Sequence, residues 1–305
     1  DSSSRRCLGR CEGSYHLGDG TTLDMSNGIL IRDIPQALMD EVMVALKNYL
    51  VAFYVLMPER SISRLKMIGS GTLVELEQGH HILTAAHVWH KTREADKVGL
   101  VLTDHQSSFL MPRDSLQAKE AWSGKTTEWG PDVAILKIPS PFIPTISAHK
   151  SFLNLDLQKE NYRTSPPTIE NRLWAVTGMV GELSEIQDHP ETRTTEGHVH
   201  GEAFFSVVHD RHERNGFDYF DLGADLSLSG VPSSFGGVSG GGLWEIKLSM
   251  SESTNEIYWD GKRHLRGVAY WQSECLKDHR VIRCHGPKSI YERAWESWSL
   301  SSGED

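Results

Sequence analysis

The chain predicts an all-β barrel or sandwich from residue 51 onward, with a helix at each end. Eight short runs rich in β-branched and aromatic residues carry that expectation: VAFYVL (51–56), GTLVEL (71–76), KVGLVL (97–102), DVAILKI (132–138), RLWAVTG (172–178), EAFFSVV (202–208), GLWEIKL (242–248) and HLRGVAYW (264–271). Gly, Pro, Asn and Asp punctuate the intervals between them, where the chain must turn. A composition break at 154–171, NLDLQKENYRTSPPTIEN, holds the Pro166-Pro167 pair and divides the β region into halves of similar length.

The ends read differently. Residues 1–30 are rich in Ser, Gly and Asp, show no apolar period, and read as a poorly ordered lead-in. Asp33 stands three residues before Gln36, a capping-box spacing, and Pro35 falls in the first turn, where a missing N–H costs nothing. Ile34, Ala37, Leu38, Val42, Ala45, Leu46 and Tyr49 then recur at helical spacing, predicting a helix over about 34–50. Its polar face carries Asp40, Glu41 and a single Lys47, so it should pack on the body and not on a membrane surface. Near the other end, Ser289 and Glu292 repeat the capping-box spacing ahead of Tyr291, Ala294, Trp295 and Trp298, a C-terminal helix over 290–299. The expected organisation is an extension at 1–50, a first β unit at 51–155, a linker at 156–171 and a second β unit at 172–305 that includes the C-terminal helix.

Composition narrows the function classes. With 31 Lys+Arg against 41 Asp+Glu, the 305 residues carry a formal charge of −10. That balance disfavours a phosphate-backbone binder, which needs clustered cations, so no nucleic-acid partner is expected. The longest apolar candidate, 34–57, is interrupted by Asp40, Glu41 and Lys47, and no membrane partner is expected either. Nine Trp and 38% apolar residues exclude general disorder. Cys7, Cys11, Cys275 and Cys284 are too few for a disulfide framework, which points to a cytoplasmic protein; the start at Asp1 leaves a removed leader open.

Three segments carry chemistry. HILTAAHVW (81–89) delivers His87 to a strand end among small residues, GPDVAILKI (130–138) sets Asp132 immediately before a strand, and FGGVSGGGLW (235–244) embeds Ser239 among glycines. A serine hydroxyl is a poor nucleophile at neutral pH and needs an adjacent base, and that base needs an acid to fix its tautomer. The oxyanion formed on attack needs unobstructed backbone N–H donors, which glycines supply.

The order His87, Asp132, Ser239 and the strings around them resemble the trypsin/chymotrypsin-like serine peptidases over about residues 51–298. The resemblance implies a mainly β fold, a double six-stranded β-barrel with the N-terminal helical extension and the C-terminal helix added, His87 and Asp132 in the first barrel and Ser239 in the second. It makes His87 the general base, Asp132 its orienter, Ser239 the nucleophile, and the N–H groups of Gly237 and Ser239 the oxyanion hole. GVAYWQ (267–272) looks like the strand that pairs with an extended substrate, so Tyr270, Trp271 and Gln272 would line the cleft, and Ser233 falls at the base of the specificity pocket. A neutral hydroxyl there favours an apolar or small residue before the cut. The expected function is a serine endopeptidase acting on a protein or peptide substrate through an acyl-enzyme, with no cofactor and no metal.

Departures from the family qualify this. Val238 replaces the Asp that usually precedes the nucleophile and pairs with a new amino terminus, so control would come from the N-terminal 50 residues or from a regulatory protein partner. Val88 and Phe235 occupy usual cysteine positions, as in disulfide-poor, bacterial-type members. Tyr270 stands where a small hydroxyl residue commonly supports the acid, so that support does not carry over.

Blander readings exist for each feature. Taken singly, His87 reads as a structural histidine, Asp132 as a turn acid and 236–242 as a tight turn; their joint order overturns this. An α/β-hydrolase elbow is disfavoured, because a polar loop precedes Ser239 and a strand follows it. A catalytically silent binding module of the same fold is the alternative from another class, and an esterase would share the chemistry. His198 with His200, His209 with His212, and Cys275, His279, Cys284 and His285 lack firm zinc spacing; Cys275 and Cys284 read equally as a disulfide or two thiols. Gly69-Ser70-Gly71 and Gly178 to Gly181 lack the Lys-Ser/Thr of a phosphate loop and read as hairpin turns.

Overall fold

Runs of apolar and β-branched residues form strands, and each of the eight flagged runs falls largely within a strand of the computed structural model. The structure describes residues 33–59, 62–102, 108–168, 172–189, 194–227, 231–251, 253–295 and 298. The first sheet comprises β1 (Leu50–Glu59), β2 (Ile62–Leu76), β3 (Gly79–Thr84), β4 (Lys97–Val101), β5 (Ser108–Pro112), β6 (Gln117–Trp122), β7 (Asp132–Lys137) and β8 (Leu153–Asn154). Its order is β5-β4-β1-β2-β3-β7-β6, antiparallel throughout except for β8, which joins β2 in parallel. The second sheet is formed from β9 (Leu173–Met179), with β10 (Glu185–His189) and β11 (Thr194–His198) set apart as a hairpin, then β12 (Gly201–Ser206), β13 (Val208–Arg214), β14 (Phe217–Asp225), β15 (Gly242–Met250), β16 (Ile257–Gln272) and β17 (His279–His285). It is antiparallel in the order β12-β9-β15-β16-β17-β14-β13.

The fold is therefore mainly β, with two curled antiparallel sheets, one of them a half-barrel. They hold eight and seven strands, against the six expected in each. The surplus comes partly from strands with no apolar signature: β13, VHDRHER, is mostly exposed beyond Val208 and is held by main-chain pairing to β14.

One apolar cluster fills the first sheet around Phe53, Leu73, Ile82 and Leu136, and another fills the second around Trp174, Val176, Phe220 and Leu243. A third joins Leu83 and Val133 of one sheet to Trp244 and Ile246 of the other, and takes in Val42, Leu46, Tyr291 and Trp298 from the two terminal helices. Each such side chain contributes roughly 1.5–3 kcal/mol on burial, so both helices are part of the core that binds the sheets together.

The first helix, α1 (Gln36–Lys47), buries Met39, Val42 and Leu46. Ala37 of the expected stripe is exposed, and Met39 takes a buried place instead. The capping box is not formed: Pro35 is the N-cap and Gln36 donates to Asp40 Oδ1. After the short helices α2 (Ala86–His90) and α3 (Ile143–Ser147), the expected linker is largely helical, as α4 (Leu155–Thr164). Its N-cap is Asn154, whose side chain accepts the Leu157 N–H at 2.7 Å. At the C-terminal helix, Ser289–Ala294 forms a π-helical turn. There Ser289 Oγ donates to Asp218 and Glu292 accepts from Tyr162, so these two residues serve tertiary contacts and not a capping box.

Cys275 is exposed and Cys284 buried, and both are free thiols; Cys7 and Cys11 lie outside the described residues. Among the described residues no helix is long and apolar enough to cross a membrane.

Candidate active site

Strand register places the acid beside the histidine. Thr84 at the end of β3 lies opposite Ala134, so Asp132, the first residue of β7, stands next to the turn where the chain leaves β3 and starts α2. Ala85 and Ala86 are fully buried there, and their small side chains let α2 begin without displacing β7. His87 therefore sits in the first turn of a helix and not on the strand itself. Asp132 Oδ2 accepts from His87 Nδ1 at 2.8 Å, and Asp132 Oδ1 accepts the His87 backbone N–H at 2.8 Å. Both residues are buried. With its proton held on Nδ1, the imidazole presents Nε2 as an acceptor.

Behind the carboxylate stands a residue that the sequence did not single out for the site. The Asp132 N–H donates to His285 Nε2 at 3.0 Å. His285 is fully buried, stacked on Tyr270 with ring centroids 4.3 Å apart. Burial lowers its pKa to about 4, so at neutral pH the ring is uncharged and Nε2 is free to accept. Tyr270 supports the loop before Asp132 and not the carboxylate: its hydroxyl donates to the Glu128 carbonyl at 2.7 Å. Burial also pushes the Tyr270 phenol well up, keeping it a neutral donor. Arg283 closes this region, donating to both Asp221 oxygens at 2.7 Å and to Glu128 at 2.8 Å.

Ser239 comes from the second sheet, on the loop ahead of β15. Gly240 adopts φ +92°, and a Cβ there would lie 1.9 Å from the Ser70 carbonyl oxygen. Gly237 adopts φ +98°, with a would-be Cβ 2.7 Å from the Met179 carbonyl. Only glycine fits either place. The loop is pinned to β16 by Gly240 N–H to the Ala269 carbonyl at 2.7 Å and by Ala269 N–H to the Gly241 carbonyl at 2.9 Å. Val238 is buried in the apolar cluster with Phe235 and Val180.

His87 and Ser239 line one cleft of about 320 Å³, together with Gly237, Tyr270, Trp271 and Gln272. No family model and no curated protein matches this chain. Within the cleft the Ser239 hydroxyl donates to the Tyr270 carbonyl at 3.4 Å, and no hydrogen bond joins it to the imidazole. The N–H groups of Gly237 and Ser239 have no acceptor among the described residues. The pairing of β16 with β15 ends at Gly242↔Val268, and beyond it Trp271 and Gln272 pair only with β17. That leaves one main-chain edge of the Tyr270–Gln272 segment beside the cleft.

Other site expectations land in different surroundings. Ser233 is exposed and outside the cleft lining; its hydroxyl donates to Glu182 Oε2 at 2.8 Å. Gln272 lines the cleft, yet its Oε1 accepts the Phe235 N–H at 2.9 Å, so its side chain holds the loop that carries Ser239. The Tyr270 ring is buried, and its carbonyl accepts the Ser239 hydroxyl at the cleft. Among the described residues no three His, Cys, Asp or Glu side chains are grouped to hold a metal. His212 is directed at Asp210 (3.1 Å) and Asp221 (3.4 Å), and His198's side chain lies outside the described set. Gly69-Ser70-Gly71 is not a hairpin turn: it lies inside β2, beside a bulge in the pairing with β1.

Proposed function

We propose that the protein is a serine endopeptidase that cleaves a protein or peptide substrate through an acyl-enzyme, on a chymotrypsin-like pair of β-barrels. The observation that carries this reading is the buried His87–Asp132 bond of 2.8 Å, with His87 lining the cleft that also holds Ser239. An extended substrate would add to the free edge at Tyr270–Gln272, fixing its scissile carbonyl over Ser239. Rotation about χ1 would carry the Ser239 hydroxyl from the Tyr270 carbonyl to His87 Nε2. Oγ then bonds to the carbonyl carbon, its proton passes to Nε2, and the carbonyl π electrons move onto oxygen. The Gly237 and Ser239 N–H groups receive that oxyanion. As it collapses the C–N bond breaks and the imidazolium returns the proton to the leaving amine; water repeats the sequence on the ester. The chemistry needs no cofactor.

Phe235, Ala269, Trp271 and Ile282 give the cleft an apolar wall, with Lys91 as the only Lys, Arg, Asp or Glu among its described lining residues, which favours an apolar residue before the cut. Val238, packed among apolar side chains, offers no carboxylate to a new amino terminus, so control is assigned to the N-terminal extension or to a partner protein.

A silent binding module is the second reading, favoured by the bond from Ser239 to Tyr270 in place of His87. Labelling with a fluorophosphonate, with casein hydrolysis measured in parallel, separates the two. The wild type should be labelled and hydrolyse casein, and Ser239→Ala should do neither. Equal labelling of the two proteins would remove Ser239 from its role, and an unlabelled, inactive wild type would favour the binding module.

A further inference from the structure

The Gly69-Ser70-Gly71 string is built into the neighbourhood of Ser239. Ser70 is fully buried and uses all of its polar groups. Its N–H donates to the Ser239 carbonyl at 2.8 Å, and its hydroxyl donates to the Gly237 carbonyl at 2.6 Å. The same hydroxyl accepts the Met179 N–H at 2.8 Å, and the Ser70 carbonyl accepts from Thr84 Oγ at 2.6 Å. Strand β2 of the first sheet thus grips the nucleophile loop of the second and ties it to β9. The flanking glycines make this approach feasible: a Cβ at Gly69 would lie 2.5 Å from Val88, the neighbour of His87, and one at Gly71 would lie 2.4 Å from Ile82.

Successive peptides of the loop are each fixed by their carbonyl. Gly236 O accepts from Gly181 N at 2.7 Å, Gly237 O from Ser70 Oγ at 2.6 Å, and Val238 O from Gly241 N at 2.9 Å. In a trans peptide the N–H points opposite to the C=O, so anchoring a carbonyl aims the following N–H the other way. The first and third anchors thereby orient the N–H groups of Gly237 and Ser239, the two that lack an acceptor among the described residues. The middle anchor is the only one supplied by a side chain. It holds the peptide that joins the two donors, whose own N–H donates to the Phe235 carbonyl at 3.1 Å.

We propose that Ser70 is a positioning residue for the oxyanion hole: its hydroxyl holds the Gly237–Val238 peptide so that the donors on either side stay aimed at one point in the cleft. The inference rests on the peptidase reading. It goes further by naming a side chain, remote in sequence and outside the cleft lining, on which transition-state binding depends.

The test compares wild type and Ser70→Ala, with Ser239→Ala as the blank. Active sites are counted by fluorophosphonate labelling at saturation. Turnover per labelled site is then measured on a peptide amide with an apolar residue before the cut, alongside inhibition by the matching peptide aldehyde, which forms a tetrahedral adduct. Losing a donor outright costs about 10²–10³ in rate, and a misplaced one costs less, so kcat per labelled site should fall about 10- to 100-fold. KM should change less than about twofold, and aldehyde affinity should fall by the same factor as kcat. A structural role alone would lower the labelled fraction or the melting temperature and leave kcat per labelled site and aldehyde affinity as in wild type; that outcome overturns the assignment. If the wild type is active and labelled while Ser70→Ala turns over equally fast, only the role of Ser70 falls. If the wild type is neither labelled nor active, the peptidase reading falls and takes this inference with it.

Discussion

The two halves of the candidate site are held in contrasting ways. On the first sheet, His87 and Asp132 fix each other: two bonds of 2.8 Å run from one residue to the other, and the β3–β7 register keeps them adjacent. On the second sheet, Ser239 belongs to a glycine-rich loop whose anchors are carbonyls gripped from outside, by Ser70, Gly181 and Ala269 N–H among them. The His87–Asp132 half is organised by side-chain chemistry between two residues of one sheet, backed by His285 from the other, whereas the Ser239 half is organised mainly by backbone orientation that other elements impose. Substitutions in the first half should therefore act through a proton's location, and those in the second through geometry.

Asp132→Asn should give the largest effect. Asparagine can keep an oxygen for the His87 backbone N–H, but its amide then turns two N–H donors toward Nδ1. The imidazole must accept there, which moves its proton to Nε2 and leaves no base facing Ser239. On the peptidase reading kcat/KM should drop about 10⁴-fold with a nearly unchanged melting temperature. A loss under tenfold would show that the carboxylate does not set the tautomer, and the contrast between the halves would disappear.

His285 comes next and tests the same half through stability. Burial lowers its pKa from 6.5 to about 4, with the Asp132 charge acting in the opposite direction. The unfolded chain takes up this proton as pH falls below 6.5, while the native protein resists until about pH 4. Stability from His285 is therefore complete above pH 6.5 and is lost by pH 4, an amount of about 3 kcal/mol. His285→Asn retains an acceptor for the Asp132 N–H and cannot titrate. Urea unfolding at pH 7 and pH 4 should show the wild type losing about 3 kcal/mol more than the variant. His81, also lowered to about 4 by burial, is common to both proteins and cancels. Equal losses would mean that His285 is not held neutral behind the acid.

The sequence made the three candidate site residues more legible than their supports. His87, Asp132 and Ser239 stand beside recognisable strings, and the eight flagged runs all became strands because their apolar patterning is local. Ser70 and His285 act through contacts between chain segments far apart: Ser70 bonds to Gly237, 167 positions away, and His285 to Asp132, 153 positions away. No local pattern encodes such a bond. β13 escaped notice because its side chains are polar and its pairing is main-chain. The capping-box spacings misled for a related reason. At Ser289 a buried Asp218 is a better partner than the helix's own N–H groups, accepting from both the Ser289 hydroxyl and backbone N–H at 2.7 Å. Burial raises the Asp218 pKa even so.

The smallest expected effect concerns redundancy on the Ser239 side. Gln272 Oε1 accepts the Phe235 N–H at 2.9 Å and its Nε2 donates to Ser234 Oγ at 3.3 Å, while Glu182 accepts the Ser234 N–H at 3.0 Å. Both side chains therefore hold Ser233–Phe235, and either can sustain the segment without the other. Gln272→Ala removes one neutral anchor beside an open cleft, worth about 1 kcal/mol, and should slow turnover less than about fivefold. Glu182→Ala should cost about as much, since its carboxylate is exposed and its bonds compete with water. Because the two anchors meet at Ser234, the double variant should lose more than the sum, with a coupling of about 0.5–1 kcal/mol in unfolding free energy. Strict additivity would mean that Gln272 and Glu182 hold the segment independently, so that neither stands in for the other in anchoring the Ser239 half.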